Sequence, residues 1–281
     1  MALLVAGLLA YAVVIGPFTG YMRDKPMEEK LGYVPSVKVM KSFSVDQKEL
    51  AGASLVFKVL MYYGTLMGQM PQGTALNDPG DLQGMSRLLH AAVQLDPYNM
   101  DAYYFGQGIL TWDAHQYQVA NNLLDYGMKY RKWDWFLPFF AGFNSAYFLK
   151  DYKMAAHYYD LAGDLSGEPL YKSLASRYMQ ESGQTDLAIA YLGGMVKTAK
   201  NDAVKRSYQL RLRAFQEVSR IEKARNRFTL EKGTHPTSVD QLVRSGYLKS
   251  VPVDPYGGSF SLEPDGKVTT TSKFAFGTNK K

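Results

Sequence analysis

Apolar residues recur along the middle of the chain with the 3.6-residue period of an α-helix. In each block, a small or apolar residue, a large residue four positions on and a small or apolar residue three positions after that form one helical stripe. The stripes are Met85, Leu89 and Ala92; Ala120, Leu124 and Gly127; Ala155, Tyr159 and Ala162; and Ala188, Leu192 and Met195, at separations of 35, 35 and 33 residues. A single helix pair cannot bury such a stripe, so the pattern predicts stacked copies of a helical hairpin.

The repeats predict four hairpins within residues 48–200. Their bounds are 48–97, 100–131, 133–167 and 169–200. The first is interrupted by a linker with Gly and Pro at 69–81. The junction between the first two is AAVQLDPYN at 91–99, where the residue before Pro97 is pushed out of helical geometry.

This junction, followed by Tyr104 and Gly108, resembles the tetratricopeptide repeat family. The third hairpin departs from the family pattern at Pro138. The resemblance implies an all-α solenoid whose first helices line a concave groove that binds a peptide or a protein. The groove residues that it implies are Tyr103, Gln107, Asn144, Tyr147, Lys172 and Arg177.

The N-terminus is an apolar run. Residues 2–21 carry no charge, and about 20 such residues cross a bilayer as a helix. We interpret residues 1–22 as an uncleaved transmembrane anchor. A cleaved signal peptide and a buried soluble helix are the alternatives, but no basic leader precedes the run and no clear A-x-A site follows it. Arg23, Lys25 and Lys30 follow the run, so the positive-inside rule weakly favours a cytoplasmic body.

Residues 23–47 lead from the anchor into the repeats, and their pattern predicts an extended segment. Val37, Val39, Phe43 and Val45 all fall on odd positions, which is typical of a half-exposed strand or strap. The segment resembles the one that precedes the repeats in membrane-anchored bacterial tetratricopeptide proteins.

Residues 201–232 predict one long helix with an apolar face and a basic face. The basic face includes Lys205, Arg206, Arg213, Arg220 and Arg227. One interpretation is the solvated face of the capping helix that ends a repeat array. Another is a contact for acidic partners or anionic lipid headgroups. Nucleic acid is a third, but no recognised reader motif accompanies the charge, so specific nucleic-acid binding is not expected.

The tail, residues 233–281, predicts a small module with a β-hairpin. HPT at 235–237, GYL at 246–248 and DPYGG at 254–258 resemble the C-terminal part of bacterial pseudopilins. A Pro-Asp-Gly turn at 264–266 joins two alternating segments. Because pseudopilin bodies lie outside the inner membrane, the resemblance favours a periplasmic body. The chain lacks the prepilin cleavage site and the continuous stalk helix of a true pseudopilin.

Three tail carboxylates have two possible roles. Some pseudopilins bind calcium in this region. The carboxylates that could supply oxygen ligands here are those of Asp254, Glu263 and Asp265. Asp254 and Asp265 also stand where Asp side chains form turns. We expect the turn role, and therefore no metal site.

Composition and motifs argue against catalysis. The chain of 281 residues has a net charge of +6 and no Cys, which excludes disulfides and thiolate zinc sites. The four histidines, at 90, 115, 157 and 235, show no ligand spacing. The phosphate-loop and nucleophile-elbow motifs do not occur, and GQGIL at 106–110 lacks the third glycine of a dinucleotide loop. We therefore expect no enzyme, no catalytic residue and no cofactor.

The functional hypothesis follows from these parts. We expect a single-pass scaffold in the bacterial inner membrane, with a periplasmic body that binds a protein or peptide partner in the cell envelope. Assembly of a pilus or secretion system is the expected setting. The alternative is a structural subunit packed permanently into a larger envelope complex. A third possibility is binding of polar lipids by the basic face. The sequence leaves the oligomeric state open.

Overall fold

The computed structural model describes residues 2–25, 31–33, 35–68 and 81–272. Most of the predicted linker and the last nine residues of the predicted tail lie outside this part of the chain. The described residues are mostly helical, with one two-stranded sheet, which confirms the all-α class and the N-terminal apolar helix. They form two compact units, Met1–Lys132 and Trp133–Lys281.

The first unit consists of helices in chain order. They are α1 (Ala2–Asp24), α2 (Val37–Ser44), α3 (Lys48–Gly68), α4 (Leu82–Leu95), α5 (Met100–Gly108) and α6 (Tyr117–Met128). From α3 onward, each helix contacts the next. Helix α4 ends one residue before Asp96, as the Asp-Pro junction predicts, and Asn99 caps α5 by accepting a hydrogen bond from the Ala102 amide at 3.1 Å.

The second unit continues the alternation and adds a small sheet. Its elements are α7 (Phe136–Asn144), α8 (Tyr152–Ser166), α9 (Pro169–Glu181), α10 (Thr185–Thr198), α11 (Asp202–Lys232), α12 (Val239–Arg244), β1 (Phe260–Leu262) and β2 (Val268–Thr270). Each helix from α7 to α12 contacts the next. Alternate helices also meet: the rings of Phe139 and Tyr171 join α7 to α9 at 5.5 Å, and α11 contacts α9.

The predicted stripes are buried except at Met195, which is half-buried. Ala120, Ala155 and Ala188 are fully enclosed, as are Leu124 and Leu192. An alanine at the first position lets a neighbouring helix approach closely, and the larger residue one turn later fills the adjoining space. The burial of these side chains confirms the periodicity on which the hairpin prediction depends.

The turn inside the hairpins has a recurring geometry that the apolar pattern does not reveal. In two hairpins the first helix ends in a five-residue π-helical turn, Ile109–Asp113 and Ser145–Leu149. A residue in the left-handed conformation stands two positions before the second helix: His115 (φ 52°), Lys150 (φ 55°) and Gly183 (φ 79°). These residues are 35 and 33 apart, the same separations as the stripes they precede.

Replacing Gly183 with alanine is expected to lower the free energy of unfolding of the second unit by about 1–2 kcal/mol. The reason is that a side chain disfavours the left-handed conformation. Gly193→Ala in α10 is the matched control, because no atom lies within 4 Å of an added Cβ at either position. The control should raise stability by about 0.5–1 kcal/mol, since alanine is the better helix former. Urea denaturation of the full chain measures both changes, and shifts of the same sign would contradict this account.

The predicted extended segment is wrong at residues 37–44, which form α2. Ser36 caps this helix by accepting a hydrogen bond from the Val39 amide at 3.4 Å. None of its residues is fully buried, and Val39 and Phe43, which are four positions apart, lie exposed. Residues four positions apart lie on the same side of a β-strand and also on the same face of an α-helix. The short apolar pattern was therefore compatible with both structures.

The C-terminal half of α11 packs against the tail and forms a small hydrophobic core with it. Ile221 and Phe228 pack there with Leu242 of α12 and Phe260 of β1. The two strands pair antiparallel, and the turn at 264–266 closes the hairpin as predicted. The tail therefore folds against the long helix.

Candidate partner-binding surface

Helix α1 is long and apolar enough to cross a membrane, and its span from Leu4 to Asp24 is not buried. Helix α3 also has the necessary length and composition, but 28% of its most apolar 18-residue stretch is buried. Because α3 packs against α4 through Val59 and Leu66, α1 is the better candidate for an anchor in the described part of the chain.

Three predicted groove residues are buried, which corrects their assignment to an accessible surface. Tyr103 is 1% exposed, Gln107 is 5% exposed and Asn144 is fully enclosed. The Tyr103 hydroxyl donates a hydrogen bond to the Pro97 carbonyl at 3.0 Å, and burial raises the pKa of that hydroxyl. The spacing placed these residues on first helices correctly, but it could not tell which face of the helix neighbouring elements cover.

Lys172 joins two helices. Its Nζ lies 2.6 Å from Oδ1 of Asp160 and 2.5 Å from Oδ1 of Asp164, so the ammonium bridges α9 and α8. The Tyr191 hydroxyl donates to the same Asp160 oxygen at 2.7 Å. The aliphatic part of Lys172 also fills the space beside Gly163, where an added Cβ would lie 2.8 Å from Cδ. We therefore assign Lys172 to internal packing.

Tyr147 and Arg177 are the two predicted groove residues that remain accessible. Tyr147 is 60% exposed, and its ring stacks on Phe143 with centroids 5.5 Å apart. The guanidinium of Arg177 lies 5.7 Å from the centroid of the Tyr178 ring, and its Nε is 4.0 Å from a carboxylate oxygen of Glu181. Both side chains can contact a partner without disturbing the core.

Four of the five predicted basic-face residues form a row along α11. Arg206, Arg213, Arg220 and Arg227 are all exposed and stand seven residues apart. Seven residues advance about 10.5 Å along a helix and turn only about 20° from a full repeat, so the row extends over about 31 Å. Lys205 lies half-buried beside it. We call the four residues the arginine row.

The row has few internal partners among the described residues. Arg220 pairs with Glu217 at 2.9 Å, and the guanidinium of Arg227 lies 5.8 Å from the Tyr247 ring. An exposed pair of this kind contributes only about 0–1 kcal/mol, so it does not prevent a partner from binding Arg220. The row therefore presents positive charge to solvent along most of α11.

Other basic residues of α11 make contacts within the unit. Arg211 is buried, donates to the Ser173 carbonyl at 3.3 Å, and has its pKa lowered by burial. Arg225 donates to the Gly266 carbonyl at 2.5 Å. The fold thus divides one basic helix into residues that hold α9 and the tail, and residues that face outward. The sequence contains the seven-residue spacing that identifies the outward set.

A polar cavity of about 580 Å³ lies between the α9–α10 turn, α11 and the hairpin turn. Its charged groups are already paired: Lys267 Nζ lies 2.6 Å from Glu181, and Asp186 accepts a hydrogen bond from the Ser219 hydroxyl at 2.8 Å. Burial raises the pKa of Glu222, which lines the same cavity. These pairs attach the tail to the helices, and we assign the cavity a structural role.

The tail carboxylates adopt the turn geometry. Asp254 is buried and accepts hydrogen bonds from the Tyr256 amide at 2.8 Å and from the hydroxyls of Thr270 and Ser272. Asp265 accepts from the Lys267 amide at 2.8 Å in the hairpin turn. Within the residues that the structure describes, no group of three His, Asp or Glu side chains could hold a metal ion.

No protein-family model matches the chain, and no curated protein matches it. The arguments for function therefore come from α1, from the repeated hairpins and from the arginine row.

Proposed function

We propose that this protein is a membrane-anchored scaffold of tetratricopeptide-like hairpins that binds an acidic protein partner in the bacterial cell envelope. Helix α1 is the anchor, and the arginine row is the principal contact. The observation that carries the proposal is this row of exposed guanidinium groups on the long helix of the second unit. Arginine binds carboxylates with a planar, multidentate donor set, which suits the recognition of an acidic surface.

Three regularities support the repeat interpretation. The buried stripes recur every 33–35 residues, and left-handed turn residues recur with the same separations. In the second unit, α7 contacts α9 and α9 contacts α11, in addition to the contacts between successive helices. Contacts to the next helix and the next but one are what a stacked helical array requires.

The periplasmic location and the setting in pilus or secretion-system assembly rest on the pseudopilin-like tail. A short helix and a hairpin packed on the end of a long helix are compatible with that resemblance. A body anchored by α1 in the inner membrane would then present the arginine row to other envelope proteins.

Site-specific crosslinking tests the partner role. A photo-crosslinking residue replaces Gln216, which is exposed between Arg213 and Arg220, and the full chain is irradiated in its native membrane. We expect a discrete adduct whose yield falls about tenfold in the Arg213→Glu, Arg220→Glu variant. Such a loss corresponds to about 1.4 kcal/mol. The matched control is Lys197→Glu, Lys200→Glu, which makes the same charge change at exposed positions near the end of α10.

Three results would reject this proposal. An unchanged adduct yield in the arginine variant would show that the row is not part of the interface. Stoichiometric adducts between copies of this chain alone would favour the alternative, a structural subunit of a larger complex. An adduct yield that falls in a Tyr147→Ala, Arg177→Ala variant, but not in the arginine variant, would assign the contact to the face with those two residues.

Removal of residues 2–24 is expected to shift the protein from the membrane fraction to the soluble fraction. The physical reason is that α1 is uncharged and mostly apolar from Ala2 to Tyr21, and this stretch is not covered by the rest of the described chain. Leu9→Arg with Val13→Arg should weaken insertion in the same direction, since an arginine at the centre of a span costs about 2.5–3.5 kcal/mol. Leu9→Ala is the control, and fractionation with carbonate extraction measures the result. Retention of the truncated chain in carbonate-washed membranes would contradict the assignment of α1 as the anchor.

A further inference from the structure

Helices α2 and α3 carry apolar side chains that lie largely exposed in the described part of the chain. On α3 these are Leu50, Phe57 and Met61, which are 65%, 63% and 58% exposed. On α2 they are Val39 and Phe43, which are 46% and 84% exposed. We call these five residues the α2–α3 apolar face. Five exposed apolar residues on two consecutive helices contrast with the single exposed apolar residues that are normal on protein surfaces.

The two sides of α3 are both apolar, but they have different neighbours. Val56, Val59 and Leu66 are buried, and Val59 and Leu66 belong to the core shared with α4. Residues 50, 57 and 61 project from the opposite side of the helix, because seven residues return a side chain to nearly the same direction. Its packing partner α4 is not among the described helices that are long and apolar enough to cross a membrane, so α3 is held against a helix that does not span, and it does not suit a second membrane span. It suits a position at the membrane surface.

The junction of the two helices forms an open hollow. Its volume is about 680 Å³, and Phe43, Val45 and Leu50 are among the residues that line it. Exposed lysines accompany the apolar residues: Lys38 and Lys41 on α2, and Lys48 and Lys58 on α3, against the acidic Asp46 and Glu49. Apolar side chains flanked by lysines are the composition by which a helix binds an anionic membrane surface.

The position of α2 and α3 directly after α1 in the chain indicates what the α2–α3 apolar face contacts. Twelve residues separate the end of α1 at Asp24 from the start of α2 at Val37, and a chain of that length spans at most about 40 Å. A protein anchored by α1 therefore holds α2 close to the bilayer, where binding becomes an intramolecular event at high effective concentration. We propose that the α2–α3 apolar face docks on the anionic phospholipid surface of the membrane that α1 crosses. This inference uses the anchoring role of α1 and is independent of the arginine row.

Depth-dependent quenching tests the inference. Because the chain contains no Cys, a single environment-sensitive label can be attached to Phe57→Cys in the full chain. The labelled protein is reconstituted into vesicles of phosphatidylcholine and phosphatidylglycerol that contain a lipid-borne nitroxide quencher. The control carries the label at Gln118→Cys, an exposed position on α6 of the same unit. We expect several-fold stronger quenching of the label at 57 than at 118.

The charge requirement is tested in the same experiment. Omission of phosphatidylglycerol, or the substitutions Lys41→Glu and Lys58→Glu, should reduce the quenching at 57 by at least half. Equal lipid quenching at both positions, with α1 shown by carbonate extraction to be inserted, would overturn the inference and leave the partner proposal intact. Self-quenching between labels at 57 that rises with protein concentration would show that a second copy covers the face, and would also overturn it. Failure of α1 to insert would reject both the docking and the anchor.

Discussion

The substitution Phe215→Ala is expected to lower the free energy of unfolding of the second unit by about 3–5 kcal/mol. Phe215 is fully enclosed on α11 and packs in one cluster with Ala188, Leu192 and Tyr208. Removing the ring forfeits its transfer from water and leaves a cavity that rigid helices fill only in part. The loss is large because this cluster joins α10 to α11.

Amide hydrogen exchange of the full chain measures this loss of stability separately for each helix. Protection of α10 and α11 should fall in parallel, while α3 and α4 in the first unit should keep their protection. Arg213→Ala is the matched control, since it lies two residues away on the exposed side of the same helix. It should change stability by no more than about 0.5 kcal/mol. A loss below about 1 kcal/mol for Phe215→Ala would show that α10 and α11 do not share this core.

The substitution Asp254→Ala is expected to lower the stability of the tail by about 2–4 kcal/mol. Its buried carboxylate accepts hydrogen bonds from the Tyr256 amide and from the Thr270 and Ser272 hydroxyls. A hydrogen bond to a charged group contributes about 1.5–3 kcal/mol, and a buried donor left without a partner adds a desolvation penalty. One side chain thus connects the DPYGG turn to the strand β2 and the residues after it.

The expected readout is local. Exchange protection of β1 and β2 should collapse, with that of α8 and α9 unchanged. Asp265→Ala is the control, because this exposed side chain accepts one amide hydrogen bond within its own turn and should cost about 0.5–1 kcal/mol. Equal effects of the two substitutions would mean that Asp254 is only a local turn residue.

The buried stripes illustrate what can be read from local pattern. The positions of Ala120, Ala155 and Ala188 repeat because each helix pair meets the same packing demand, and helical periodicity is a property of neighbouring residues. The turns at Asp96-Pro97 and at 264–266 were predicted for a similar reason, since Pro and Gly restrict or free the backbone where they stand. These features can be predicted without knowing which distant residues pack against them.

The accessible surface was less predictable. Tyr103, Gln107 and Asn144 fall on first helices as expected, yet they are buried. The basic residues of α11 looked alike, yet Arg211 is buried and Arg213 is exposed. Which side of a helix is covered depends on the elements that pack on it, and those elements are tens of residues away. In the sequence, only the seven-residue spacing of the arginine row distinguishes these exposed arginines from the other basic residues of α11.

Sequence pattern alone predicted the helical class, the apolar N-terminal helix and the hairpin of the tail, because each depends on residues within a few turns of one another. The three-dimensional arrangement decided which polar residues are internal and how the tail attaches. Lys267 and Glu181 meet at 2.6 Å although 86 positions separate them. No periodicity encodes such a pair, since it exists only after α9, α11 and the tail have packed together.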